Sequence, residues 1–162
     1  MQINKILNEE QLDYINSLIE NLEFIDGKNT ASGLAKKAKN NMQANPKGDA
    51  FVNLSMYIGE ILSKNYWINS RFFPKKYSPA MFNKYSLGQG YGRHYDTSHI
   101  LISKSGTMRR DFSFTLMLSK NNDYEGGELA IENSNNLLQT VHLDAGDMAV
   151  YPSSQIHSVL PI

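Results

Sequence analysis

Apolar residues in the first part of the chain recur at intervals of three and four. Leu12, Ile15, Leu18, Ile19 and Leu22 form one such stripe, which predicts an amphipathic helix. Asn8 stands before it as an N-cap, with Gln11 three residues on in the capping-box position, and Asp26-Gly27 closes the segment. Phe51, Leu54, Ile58 and Ile61 repeat the pattern in a second predicted helix, with Asp49 as its cap. Between them, residues 28–48 are polar and lysine-rich, and Asn40-Asn41 and Asn45-Pro46 mark a loop holding a short helix.

Beyond about Trp67 the period shortens to two. Arg71-Phe72-Phe73-Pro74 and Met81–Tyr85 read as short strands on either side of a Ser78-Pro79 turn. Phe112, Phe114, Leu116 and Leu118 alternate with Ser113, Thr115 and Met117, which predicts a half-buried strand. Gly126-Gly127 introduces a strand over Glu128–Glu132. Residues 133–136 loop into Leu137–Leu143, and Asp144-Ala145-Gly146-Asp147 turns into Met148–Tyr151. Helices first and many short strands afterwards predict an α+β fold: residues 1–66 as a helical support region and 67–162 as a jelly roll, in one continuous domain. No internal repeat or linker interrupts it.

Composition narrows the chemistry. A chain of 162 residues with a 41% hydrophobic fraction can bury a real core. Sixteen basic residues balance sixteen acidic ones, so no net field favours nucleic acid or an anionic membrane. The clusters Lys36, Lys37, Lys39 and Lys75, Lys76 read as solvated surface. With no cysteine, disulfides, thiolate metal sites and cysteine nucleophiles are excluded. No apolar run reaches the ~18 residues of a membrane span, and the first ten residues lack a signal-peptide core. The expected location is the cytoplasm.

Against that background, His94, Asp96 and His157 stand out. In an extended segment residues i and i+2 share a face, so His94 and Asp96 can reach one ion together. His157 can join them only if the chain folds back as a sheet. Two imidazoles and a carboxylate leave positions open on an octahedral ion, the arrangement of non-haem Fe(II) sites that admit a co-substrate and O2. Each residue alone has a plainer reading: a backbone-bonded strand histidine, or an aspartate capping a turn. His99 reads as a loop residue or a support to the site, His142 as sheet surface and Asp147 as a turn residue. Tyr85 and Tyr91 read as strand aromatics or pocket wall, and Arg109 as a surface charge lying near the site.

A wider set of motifs gives these residues a context. Phe82-Asn83-Lys84-Tyr85, Gln89, Tyr91-Gly92-x-His94-x-Asp96, Arg109-x-Asp111-x-Ser113, Leu116-x-Leu118-Ser119 and Asp123-Tyr124-x-Gly126-Gly127-Glu128-Leu129 occur in order. Ala145-Gly146-Asp147, Tyr151-Pro152-Ser153-Ser154 and His157-x-Val159-x-Pro161 follow. The series, from roughly Lys39 to the last residue, resembles the prolyl-4-hydroxylase-like 2-oxoglutarate oxygenases, and in particular their PKHD-type hydroxylases.

The resemblance implies a double-stranded β-helix in which His94, Asp96 and His157 bind Fe(II). It implies that Tyr85 contacts the distal carboxylate of 2-oxoglutarate, and that O2 is the second co-substrate. The implied reaction hydroxylates a C–H bond of a protein residue, prolyl among the candidates, or of a small molecule, while 2-oxoglutarate becomes succinate and CO2. Ascorbate is the implied reductant.

One part of the family pattern is missing. An arginine about nine or ten residues past the distal histidine normally forms a bidentate pair with the 2-oxoglutarate carboxylate. The sequence ends at Ile162. Truncation of a longer protein is the favoured expectation, with an open sheet edge where a strand is lacking. The alternatives are an anchor supplied by Arg109 or Arg93, a cupin-like metalloenzyme that does not use 2-oxoglutarate, and an inactive jelly-roll binding module. Residues 97–108 are expected to be a pocket lid.

Overall fold

A computed structural model of the chain describes all residues except Ser32, 104–105 and 121–123. Helix α1 spans Glu9–Ile19, and its predicted capping box is present. Asn8 Oδ1 accepts the Gln11 N–H at 2.8 Å and Gln11 Oε1 accepts the Asn8 N–H at 3.1 Å. Such a cap stabilises a helix by about 1 kcal/mol. Two further helices follow, α2 (Gly33–Ala38) and α3 (Asp49–Lys64). In α3 the N-cap is Gly48 rather than Asp49, which opens the first turn. The buried stripe is Phe51, Leu54, Ile58 and Leu62, with Ile61 only partly covered.

The expected strand over Arg71–Pro74 is instead the end of a helix, α4 (Tyr66–Phe72). Asn65 Oδ1 caps it by accepting the Ile68 N–H at 3.1 Å, and Phe73 stops it in the left-handed region at φ 45°. Pro74 punctuates a helix end here, as proline commonly does, rather than bounding a strand.

Strands run through the whole chain rather than only its second part. The elements are β1 (Gln2–Lys5), β2 (Phe24–Asp26), β3 (Lys39–Asn40), β4 (Met42–Ala44), β5 (Asn83–Lys84), β6 (Gly90–His94), β7 (His99–Ser103), β8 (Gly106–Arg109), β9 (Phe112–Leu116), β10 (Leu129–Glu132), β11 (Leu138–Val141), β12 (Asp147–Pro152) and β13 (His157–Val159). One sheet has the order β1-β12-β9 and the other β11-β10-β13-β6-β3, all antiparallel. A small sheet, β2-β4-β5, and a two-stranded ribbon, β7-β8, complete the set. The segment expected as a lid loop thus carries the β7–β8 ribbon, and its residues 104–105 lie outside the described residues. Among the described residues the edge strands are β1 and β9 in the first sheet and β11 and β3 in the second.

The first strand was not anticipated. Four residues of mixed polarity carry no period, yet Gln2 pairs with Val150 and Lys5 with Asp147. Gly146 makes the approach possible: at φ +89° its carbonyl accepts the N–H groups of both Ile6 and Leu7, and a Cβ there would sit 2.9 Å from Leu7 O.

Strand β12 shows why two cores form. Met148 and Val150 pack among the helices with Leu12, Ile15, Leu54 and Ile58. Ala149 and Tyr151 face the other way, against Leu129, Ile131, Val141 and Leu143. Strand β9 divides in the same manner. Phe114 and Leu116 join the helix-side core, so Ser113 and Thr115 point between the two sheets. The strand is half-buried, as its alternation predicts: Phe112 is exposed and residues 113–116 are partly buried, with the polar face turned toward the interior of the roll. No described helix is long and apolar enough to cross a membrane.

Candidate metal centre

His94 and His157 are brought together by the sheet. They are directly opposed on β6 and β13, with ring centroids 4.2 Å apart. His94 Nδ1 lies 2.8 Å from Gly92 O, and His157 Nδ1 lies 3.0 Å from Gln155 O. A carbonyl oxygen can only accept, so each Nδ1 carries the proton and each Nε2 keeps its lone pair for a ligand. Burial, the largest influence, lowers the His94 pKa, with the nearby His157 and Lys39 adding to it. The neutral, ligating form is the favoured one.

Asp96 lies just past the end of β6, where its N–H donates to Ser153 O at 3.1 Å. Its Oδ2 is 3.9 Å from His157 Nε2 and accepts the Ser113 hydroxyl at 2.5 Å. Ser113 Oγ is in turn 2.9 Å from Ser153 Oγ, and Ser153 is buried. One ligand atom from each of His94, Asp96 and His157 lies within 4.8 Å of the others. Ligands at right angles on bonds of about 2.1 Å are about 3 Å apart, so small side-chain rotations bring all three onto one ion. Two imidazole nitrogens and one carboxylate, with backbone and hydroxyl groups fixing all three, fit a divalent transition metal with open positions.

Aromatic residues wall the trio. Between Tyr91 and His94 the β6–β13 ladder slips: three steps on β6 match two on β13, from Val159 to His157. This bulge puts residues i and i+3 on one side of the strand. The Tyr91 ring consequently stacks on the His94 imidazole, centroids 3.6 Å apart and planes at 14°. Tyr151 lies 4.9 Å from the His157 ring, with its hydroxyl 3.1 Å from Thr115 Oγ1, and burial raises its pKa. Tyr85, half-buried just past β5, has its phenol pushed up to about 12, chiefly by burial. It remains a neutral O–H donor throughout the ordinary pH range.

Other expectations fare differently. Arg109 does not join the trio's partners. Its side chain is 70% exposed on β8, and its Nε meets Asp111 Oδ1 at 2.9 Å. Arg93 pairs with Glu132. His99 is exposed on β7, its Nδ1 3.1 Å from Ser98 Oγ, and His142 is exposed beyond β11. Asp147 shapes its turn as expected, accepting the Asp144 N–H at 3.0 Å. Asp123 of the quoted motif lies outside the described residues.

Lys39 reverses its sequence reading. Lys36 and Lys37 are exposed, but Lys39 is only 4% exposed. Lys39, Asn41 and Gln43 alternate as a buried polar row, and that period of two was the available signal. Ser113 and Ser153 were quoted as parts of motifs without a role; their contact with Asp96 depends on three distant segments meeting.

The chain is similar to known proteins along its length. Residues 80–162 match the model of the 2OG-Fe(II) oxygenase superfamily. A PKHD-type hydroxylase of Prochlorococcus marinus is 37% identical over 159 residues, covering 97% of this chain and 69% of the relative. A PKHD-type hydroxylase of Saccharophagus degradans is 36% identical over 165 residues, covering 100% and 72%. Among solved structures, a Pseudomonas putida prolyl-4-hydroxylase superposes with a TM-score of 0.63 at 19% identity, covering 99% of this chain and 84% of that one. A Trichoplax adhaerens prolyl hydroxylase, solved with a hypoxia inducible factor peptide fragment, gives 0.63 at 20% identity, covering 99% and 76%. At these identities the two structures establish the jelly-roll fold.

Proposed function

We propose that this chain, which belongs to the 2OG-Fe(II) oxygenase superfamily and within it to the PKHD-type hydroxylases, holds Fe(II) through His94, Asp96 and His157. The family's co-substrates are 2-oxoglutarate and O2. The target is a C–H bond of a protein residue, with prolyl included, or of a small molecule. The peptide bound by the Trichoplax adhaerens neighbour favours the protein residue. The observation that carries the reading is the convergence of three ligand atoms, from two strands and the turn after one of them, inside a family match.

Iron at the trio would supply the O2 chemistry that couples decarboxylation of 2-oxoglutarate to hydroxylation. The chain's own part is to bind, orient and keep dry. His94 and His157 present Nε2 because Gly92 and Gln155 hold Nδ1. Ser113 and Ser153 fix the carboxylate of Asp96. Tyr85, a half-buried neutral phenol, donates a hydrogen bond to the co-substrate carboxylate, and the rings of Tyr91 and Tyr151 exclude water beside the histidines.

Succinate release from labelled 2-oxoglutarate tests the assignment. The iron-loaded protein is expected to turn over, and His94→Ala to lose at least about a hundredfold, because an interaction needed only at the reacting centre is gone. Calorimetry with N-oxalylglycine, a 2-oxoglutarate mimic, separates this reading from a metalloenzyme of another type. An iron-loaded protein that neither binds the mimic nor decarboxylates 2-oxoglutarate overturns it.

A further inference from the structure

We infer that Lys39 is a positioning residue of the metal centre, acting through the ring of Tyr91 on the imidazole of His94. The inference rests on the trio being a metal site.

Lys39 and Tyr91 are opposed on the antiparallel pair β3–β6. The Lys39 ammonium sits 5.5 Å from the centroid of the Tyr91 ring, which stacks on His94 at 3.6 Å. Lys39 Nζ donates to Gln43 Oε1 at 2.5 Å and to Thr30 Oγ1 at 3.0 Å. Thr30 Oγ1 is itself tied to Gly27 O at 2.8 Å and to Gln43 Oε1 at 2.7 Å. The cation is thus clamped from two sides before it reaches the ring. The packing around it is close: a Cβ on Gly27 would lie 2.0 Å from Asn41 Oδ1 and 3.0 Å from Lys39 Cε.

The arrangement is not an ordinary ion pair. Among the described residues no carboxylate lies within salt-bridge distance of Lys39; Asp26 and Asp96 act on it only through space. A buried ammonium without an acid is expensive, and an apolar side chain of similar length would cost less. What the charge gains is attraction to an aromatic face, which strengthens as the pair is desolvated. That attraction fixes the plane of Tyr91. The Tyr91 plane and the Gly92 carbonyl together then hold the His94 ring, so that Nε2 faces Asp96 and His157.

Charge and positioning predict opposite outcomes. A cation near the site repels a divalent ion, so loss of charge alone tightens metal binding. Loss of positioning weakens it, by about tenfold to a hundredfold for residues that orient a metal ligand.

The experiment measures Co(II) binding, by calorimetry and visible absorbance, for the full chain and for Lys39→Met, Lys39→Arg, Tyr91→Leu and the Lys39→Met/Tyr91→Leu double variant. Lys39→Met is expected to bind cobalt about tenfold more weakly with an altered absorbance envelope, and Lys39→Arg, which retains the cation over the ring, to recover much of it. Tyr91→Leu is expected to cause a similar loss, and the double variant no more than either single one, since both break the same link. Unchanged or tighter binding in Lys39→Met, or additive losses in the double variant, overturns the inference. If Lys39→Met fails to fold, Tyr91→Leu and Lys39→Arg decide the same point: normal cobalt binding and spectrum in Tyr91→Leu overturns it. A wild-type chain that does not bind cobalt overturns the reading of the trio itself.

Discussion

Ser113 on β9 donates its hydroxyl to Asp96 Oδ2 at 2.5 Å, joining the sheet that backs the helices to the sheet that carries the histidines. Asp96 sits beyond the end of its strand, so its carboxylate has no regular ladder to hold it. Ser113, the backbone of Ser153 and the Ser113–Ser153 contact replace that ladder. Ser113→Ala is expected to lower metal affinity about tenfold to a hundredfold, while the melting temperature moves by only a few degrees. Metal titration followed by calorimetry checks this, and a variant with wild-type affinity contradicts it.

Tyr85→Phe removes a half-buried donor and leaves the ring. A hydrogen bond to a charged group contributes about 1.5–3 kcal/mol. The dissociation constant of N-oxalylglycine is therefore expected to rise about tenfold or more, with metal affinity unchanged. The phenol also has a pH signature. Its pKa is raised to about 12 from 10.0, so above pH 10 the unfolded chain loses this proton before the folded one does. Wild-type stability is expected to fall as pH climbs from 10 towards 12, and Tyr85→Phe to fall less steeply.

The His94 shift works at the other end of the scale. Its folded pKa lies below the ordinary 6.5, mainly through burial. Between that lowered value and 6.5 the unfolded chain binds more protons than the folded chain. The stability from keeping His94 neutral is fully present above 6.5 and is lost as pH falls through the folded value. Thermal melts of metal-free protein are expected to drop across that window, and His94→Gln to flatten the profile. A wild-type profile with no slope below 6.5 argues against it.

Leu54→Ala separates the scaffold from the site. Leu54 is fully buried in α3, in the core shared with Met148 and Val150 of β12. Truncating it is expected to destabilise the fold by about 2–5 kcal/mol, with metal affinity of the folded fraction unchanged. Urea unfolding and cobalt titration at low temperature measure the two quantities independently.

Local patterns carried much of this structure. The capping box of α1, the stripe of α3, the alternation of β9 and the turn into β12 are all set by residues within a few positions of one another. The family resemblance depends on spacing and order, and it singled out His94, Asp96 and His157 before any contact was known. Where the sequence misled, two local readings competed. Phe72-Phe73-Pro74 has strand-forming residues, and only the Asn65 cap and the left-handed Phe73 decide for helix. Lys39 sits in a lysine cluster and looked solvated until its alternation with Asn41 and Gln43 acquired a buried face.

By itself, then, the sequence determined most of the periodic elements and singled out three candidate ligands, because local period and motif order are both written along the chain. Only the tertiary structure decided that β1 joins β12, that Ser113 and Ser153 hold Asp96, and that a bulge in β6 stacks Tyr91 between Lys39 and His94. Those contacts join segments far apart in the chain. Register and burial select them, and neither is fixed by the residues on one side of a contact alone.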